Sequence, residues 1–179
     1  MIIGDRVRLR AINHDDLQLF VEWLNDPEVI EGLEQHFPLS IDQEEKWFEN
    51  MLSSPPEEHP MMIEVKINDG WLPVGNCGFM KIDWRVRSAE FGIFIGEKQY
   101  WSQGFGTEAV QLLMQHGFDT LNLNRVFLRV YETNKRAIRA YEKVGFSHEG
   151  RLRKAHFYNG EYMDVLVMSM LHQEWKNKT

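Results

Sequence analysis

The order of the apolar patterns along the chain constrains its fold more than any other feature. A first strand pattern and a helix-rich stretch are followed by three strand patterns in succession, over 61–67, 72–83 and 89–95. A helix, a strand, a second helix and two last strands then complete the sequence. This mixed order is typical of α+β proteins. It predicts one mixed, largely antiparallel sheet of about seven strands, flanked by helices.

Local signals predict where the helices begin and end. Asn13 can cap a helix over 14–24, and the adjacent prolines in Ser53–Pro60 end a second helix over 41–52. Two later helices are predicted over 104–119 and 135–144. The second of these stops at a glycine, which accepts the left-handed conformation of a helix end.

Composition narrows the class of protein. A length of 179 residues suits one domain, 1–179, and the single cysteine, Cys77, rules out an internal disulfide and favours the reducing cytoplasm. The net charge of −7 disfavours a nucleic-acid partner and is compatible with a cationic substrate or with mere solubility. The first residues contain no long apolar stretch, so we expect no signal peptide. No apolar run is long enough to span a membrane and no paired-histidine motif is present, so we expect no membrane and no metal partner.

A glycine-containing turn lies between the third strand pattern and the next helix, in the segment Gln103–Thr107, which reads QGFGT. Glycines at such a turn allow backbone amides to point into one cavity, and the helix adds its positive N-terminal end. The turn lacks the spacing of the dinucleotide fingerprint and the Lys-Ser/Thr of a P-loop. A phosphate site and a plain helix entry are both compatible with this segment alone.

The second informative segment, 134–146, reads NKRAIRAYEKVGF. Asn134 precedes the helix, and Tyr141 lies two turns later on the same face. Arg136 adds positive charge near the helix start. By themselves, Asn134 is compatible with a simple cap and Tyr141 with a core aromatic.

Together the two segments resemble the GNAT superfamily of acetyl-CoA-dependent N-acetyltransferases. The pattern Asn-x-x-Ala-x-x-x-Tyr-x-Lys-x-Gly-Phe is matched at every named position over 134–146. The pyrophosphate motif Gln/Arg-x-x-Gly-x-Gly/Ala is matched at Gly104 and Gly106 but begins with Trp101. The late segment EGRLRKAHFYNGEYMDVLVMSML is similar to the branch that holds ribosomal-protein N-terminal acetyltransferases and spermidine acetyltransferases. Members of that branch often form dimers, so a homodimer is expected.

The resemblance implies acetyl-CoA as co-substrate and a primary amine as acceptor. It also implies that two neighbouring strands splay apart and leave backbone groups of the first unpaired for coenzyme A. The candidate cofactor-binding residues are Phe94, Ile95, Gln103, Gly104, Phe105, Gly106, Thr107, Asn134 and Arg136.

The chemistry requires an amine that loses a proton, donors for the oxyanion and an acid for the leaving thiolate. Tyr141 is the candidate acid, because a phenol of pKa ~10 keeps its proton at neutral pH. Glu90 is the candidate base, acting through water with a raised pKa of ~6–7; a structural ion pair within the sheet is the alternative.

The acceptor is the least determined part of the prediction. A polyamine could be bound by three acidic residues, Glu28, Glu31 and Glu34, although an acidic run is also typical of a solvated surface. Trp84 is expected to line the same region. A small cationic amine is the expected substrate. A protein N-terminal amine and a non-catalytic acyl-CoA sensor remain the alternatives.

Overall fold

The computed structural model describes residues 1–177, and within them eight strands form one sheet. The strands are β1 Ile2–Ile3, β2 Val7–Ala11, β3 Met61–Ile67, β4 Gly70–Asp83, β5 Ser88–Ile95, β6 Arg125–Tyr131, β7 Ser147–Tyr158 and β8 Glu161–Leu171. Their order across the sheet is β1-β2-β3-β4-β5-β6-β8-β7. Neighbouring strands pair antiparallel except β5 and β6, which are parallel. The predicted α+β fold with a mixed, largely antiparallel sheet is confirmed, with the two-residue β1 as an additional strand.

Six α-helices accompany the sheet in the described part of the chain. They are α1 Leu17–Leu24, α2 Pro27–Ile30, α3 Ile41–Ser53, α4 Phe105–Gln115, α5 Lys135–Val144 and α6 His172–Lys176. A 3-10 turn over His14–Asp16 precedes α1, and a π-helical turn over His116–Thr120 follows α4. Two predicted helices are therefore shorter as α-helices than expected, because tighter or wider turns replace their ends.

The two faces of the sheet pack against different helices. Ile63 of β3 belongs to the larger core, which contains Leu113 of α4 and Val144 of α5. The preceding residue, Met62, packs with Phe20 of α1 in a second core. Successive strand residues point to opposite faces, so α1 lies on the face opposite to α4 and α5.

A buried ion-pair network fastens the start of α1 to the sheet. The Arg10 guanidinium of β2 donates to both carboxylate oxygens of Asp16, at 2.7 and 2.8 Å, and to Glu64 Oε1 of β3 at 2.8 Å. Asp16 and Glu64 are buried, and Asp16 also accepts a hydrogen bond from the Asn13 backbone N–H. The network also helps to position the next part of the chain. Helix α1 leads directly into α2 and the residues after it, which include Glu28, Glu31 and Glu34.

Candidate active site

The central strands of the sheet separate at one point and open a cleft. β5 and β6 are paired at Ser88, Ala89 and Glu90, and the pairing ends there although β5 continues to Ile95. The cleft that opens beyond Glu90 has a volume of about 780 Å³. That volume lies within the range of small-molecule sites, roughly 300–1,000 Å³. The predicted splay of two neighbouring strands is thus present.

The glycine turn borders one end of the cleft. Ser102 and Gly104 both have positive φ values, 60° and 87°, and α4 begins at the next residue. Backbone amides in such a turn, together with a helix N-terminus, form a concavity suited to an anion. Gly104, Gly106 and Thr107 line the cleft.

Gln103 and Phe105 do not line the cleft with the other residues of this turn. The side-chain amide of Gln103 donates to the backbone carbonyl of Gln99 at 2.6 Å, and the backbone carbonyl of Gln103 accepts from the Arg6 guanidinium. Phe105 is buried in the larger core. The side chains of both residues are therefore engaged away from the cleft.

Trp101, which departs from the family motif, has a structural role beside the glycine turn. Its indole Nε1 donates to the Ile95 carbonyl at 2.7 Å, and the Arg136 guanidinium lies over its ring, 3.8 Å from the centroid. The Ile95 carbonyl is therefore engaged, contrary to our expectation that backbone groups of Ile95 are unpaired. Arg136 does line the cleft, and burial lowers its pKa.

Helix α5 and its N-cap present Asn134 and Tyr141 to the cleft, as well as Arg136. The Asn134 side-chain oxygen accepts from the Ala137 N–H at 3.1 Å and caps the helix. Tyr141 is buried, and its ring packs edge-to-face on Phe91 of β5. Burial raises the pKa of the Tyr141 phenol, so the hydroxyl carries its proton at neutral pH. This state is the one that a proton donor to a thiolate requires.

Glu90 lines the cleft but does not have the raised pKa that we expected. Its carboxylate accepts from Arg129 Nε at 2.7 Å and from Lys81 Nζ at 3.2 Å. Burial of Glu90 disfavours its charge, but these two cations outweigh that effect and hold its pKa below the ordinary value. The expectation of a raised pKa is wrong, because the sheet brings an arginine from β6 directly beside this carboxylate.

Three of the four predicted substrate residues lie at the cleft. Glu28, Glu31 and Glu34 line it, and Glu28 also pairs with Lys98. Trp84 lies outside the cleft, in the turn between β4 and β5, with 49% of its surface exposed. The expectation for Trp84 is wrong, because its turn extends the sheet on the side away from the strand separation.

Several residues that line the cleft were not found by sequence reasoning. Arg129 and Tyr131 of β6 and His156 of β7 belong to this group. Strict alternation along β6 places Arg129 and Tyr131 on one face and could have identified them. The sequence contains no corresponding signal for His156, because an irregular part of β7 sets its position.

Residues 1–177 contain neither a metal-binding cluster nor a membrane-spanning helix. No three His, Cys, Asp or Glu side chains come together as a metal-binding group in this range. Over the same residues, no helix is both long and apolar enough to cross a membrane.

Comparison with known proteins gives the family. Residues 6–147 match the family described as acetyltransferase (GNAT) domain. The uncharacterized N-acetyltransferase p20 of Bacillus licheniformis is 32% identical over 173 residues, which cover 96% of both chains.

Solved structures agree with the sequence comparisons. Spermidine N-acetyltransferase from Vibrio cholerae in complex with CoA and spermine is 27% identical, with a TM-score of 0.87 over 97% of this chain and 100% of that one. A dodecameric structure of spermidine N-acetyltransferase from Vibrio cholerae in an intermediate state is 26% identical, with a TM-score of 0.82 over 98% and 99% of the two chains. The chain belongs to the GNAT family, as an acetyltransferase that transfers the acetyl group of acetyl-CoA to a primary amine.

Proposed function

We propose that this enzyme acetylates a small polycationic amine, a polyamine, in the cytoplasm. The observation that carries the proposal is that Glu28, Glu31 and Glu34 line the same cleft as Tyr141. Carboxylates around a cleft concentrate a cationic substrate and select against neutral or anionic ones. The solved relative with CoA and spermine supports the same class of acceptor.

Each candidate residue has a defined role in this proposal. The backbone amides of 102–107 bind the pyrophosphate, and Asn134, Arg136 and the backbone of Phe94 hold the rest of coenzyme A. Tyr141 protonates the departing thiolate. The 179 residues act as one domain, and a homodimer stays a prediction that mass measurement by light scattering tests.

The direct test is thiol release from acetyl-CoA with a panel of acceptors. The panel contains spermidine and spermine, amino sugars, amino acids and peptides with free N-termini. We expect the highest kcat/KM with a polyamine. A peptide that exceeds every polyamine would overturn the proposal in favour of protein N-terminal acetylation, and thiol release with none of them would favour the sensor.

Removing two of the cleft carboxylates is expected to weaken acceptor binding selectively. The double substitution Glu31→Gln/Glu34→Gln should raise KM for spermidine roughly 10-fold at low salt, because two attractive charges at exposed positions are lost. The difference should shrink as salt screens the charges, while KM for acetyl-CoA stays unchanged. Glu22→Gln is the matched control, because Glu22 lies on α1 outside the cleft. An equal effect of the control would show that net charge alone is responsible.

The substitution Gly104→Val is expected to abolish detectable binding of coenzyme A. Gly104 has a φ of 87°, which a β-branched residue adopts only with strain, and an added Cβ would lie 3.3 Å from Arg6 Nη2. Calorimetric titration with coenzyme A measures the effect. The control is Gly160→Val, which introduces comparable strain at a φ of 84° in the β7–β8 turn, with no heavy atom within 4 Å of the added Cβ. Unchanged affinity in Gly104→Val would contradict the pyrophosphate assignment.

A further inference from the structure

One buried polar atom in the wall of the cleft lacks a partner. Among the described residues 1–177, His156 Nε2 is buried and makes no hydrogen bond. Its ring stacks on Tyr131, with centroids 3.8 Å apart and an interplanar angle of 13°. Buried polar atoms in native proteins are almost always satisfied, so an unpartnered one in a binding cleft indicates a contact that a ligand supplies.

An irregularity in β7 places His156 at the cleft. Leu152 pairs with Val165 of β8 and His156 pairs with Met163, so four positions of β7 cover two positions of β8. Within this bulge Lys154 has a φ of 51°, and its backbone N–H donates to Asp164 Oδ1 at 2.8 Å. Bulges redirect side chains and are common beside active sites. The chain thus holds the imidazole in place with a defined backbone feature.

His156 and Tyr141 lie on opposite faces of the separated strands. Tyr141 packs on Phe91 in the larger core, which also contains Val130 of β6. Tyr131, the next residue of β6, points to the opposite face, and His156 stacks on it. An acetyl group held between β5 and β6 would have the phenol on one side and the imidazole on the other. This is the arrangement needed when one group takes a proton from the amine and another gives a proton to the thiolate.

The surroundings of His156 keep the imidazole neutral. Burial and the neighbouring His36 lower its pKa, and Glu34 opposes them without reversing the direction. The other titratable groups facing the stack are Tyr131 and Arg129 of β6 and Tyr158 of β7. A neutral imidazole can accept a proton at neutral pH, whereas Glu90 is held as a carboxylate by two cations.

We propose that His156 is the general base that deprotonates the acceptor ammonium. Nε2 takes one proton from the ammonium, directly or through one water, and the amine lone pair forms the bond to the acetyl carbon. As the tetrahedral intermediate collapses, the C–S bond breaks and Tyr141 gives its proton to the thiolate. The second proton of the amine nitrogen replaces that of Tyr141, and the imidazolium releases its proton to solvent. This inference rests on acetyl transfer to a primary amine and not on which amine is the substrate.

The pH dependence of kcat/KM tests the proposal in His156→Phe, which keeps an aromatic ring against Tyr131. The acceptor is spermidine or, if spermidine is not acetylated, the best amine of the panel. For the wild type we expect kcat/KM to be nearly flat from pH 7 to 9. For the variant we expect a loss of roughly 10²–10³-fold at pH 7 that shrinks about tenfold per pH unit, because only the amine deprotonated in solution, with a pKa of ~10, then reacts.

Three further measurements separate proton transfer from packing. His36→Phe removes the other imidazole of the stack, outside the cleft, and should keep the wild-type profile. His156→Ala should regain activity at pH 7 when free imidazole is added. Coenzyme A affinity should stay unchanged in all three variants. A wild-type profile in His156→Phe, a loss that is equal at every pH, or the sloping profile appearing in Glu90→Gln instead would overturn the assignment. Failure of both spermidine and spermine as acceptors would overturn the substrate proposal alone.

Discussion

Replacement of Tyr141 by phenylalanine is expected to slow turnover roughly 10²–10⁴-fold while acetyl-CoA binds nearly as tightly as in the wild type. Phe keeps the ring that packs on Phe91 and removes only the hydroxyl. The effect should therefore appear in kcat, because the missing proton is needed only when the thiolate leaves.

Asn134→Ala supplies the contrast to this substitution. It should weaken coenzyme A binding by about 1 kcal/mol, the typical net contribution of one hydrogen bond, with less effect on kcat. Steady-state kinetics of both variants and direct cofactor titration measure the difference. A pre-steady-state experiment must first show that chemistry limits wild-type turnover, since slow product release would hide the effect. With that established, a wild-type kcat in Tyr141→Phe would remove the catalytic role of Tyr141.

Replacement of Arg10 by methionine is expected to lower the free energy of unfolding by about 3–5 kcal/mol. Arg10 is shared by Asp16 and Glu64, and removing one partner of a buried ion pair leaves an uncompensated charge. Glu64 keeps Arg8 as a partner, so most of the effect should come from Asp16. Urea denaturation measures the change, and the double variant Arg10→Met/Asp16→Asn should recover part of it.

Arg151→Met is the matched control for this prediction. Arg151 also bridges two carboxylates, those of Glu132 and Asp164, but 52% of its side chain is exposed. Solvent screens exposed pairs, so its replacement should change stability much less. A loss in Arg10→Met no larger than in Arg151→Met would show that the buried network does not stabilise the fold.

The effect of Arg10→Met should also depend on pH. Burial of Asp16 disfavours its charge, but the hydrogen bonds from Arg10 and Asn13 outweigh this and hold the pKa of Asp16 below its ordinary value. A carboxyl with a lowered pKa contributes stability above its unfolded pKa of ~3.9 and loses that contribution as the pH falls through the lowered value. The difference between wild type and variant should therefore be full at pH 7 and narrow in acid. A difference that is constant from pH 7 to pH 3 would contradict the assignment to Asp16.

The part of the cleft that carries the family motif could be predicted from the sequence because local segments form it. Helix α5 begins and ends where expected, since Asn134 caps its first turn and Gly145 adopts a φ of 106° after its last. The left-handed Gly104 before α4 likewise depends on the residues beside it. Within such segments, helix geometry fixes the distance between two residues from their separation in the sequence. Asn134 and Tyr141 therefore line the same cleft, as predicted.

The rest of the site depended on contacts between residues that are distant in sequence. Glu90 meets Arg129 across 39 positions of sequence, and this pairing reverses the pKa shift that its local surroundings suggested. Trp101 engages the Ile95 carbonyl only because the strand end and the turn fold back on each other. Trp84 lies outside the cleft because the β4–β5 turn is at the end of β5 opposite to the strand separation.

The sequence by itself determined the fold class, the ends of α5 and the residues that match the family motif, because caps, glycines and periodic apolar residues act over one or two turns of chain. The tertiary structure alone decided which other side chains line the cleft and how their neighbours shift their pKa values. His156 reaches the cleft through a bulge in β7 that is fixed by Asp164 of the neighbouring strand. Strand register and bulges are set by pairing between strands, and no local pattern in either strand records them.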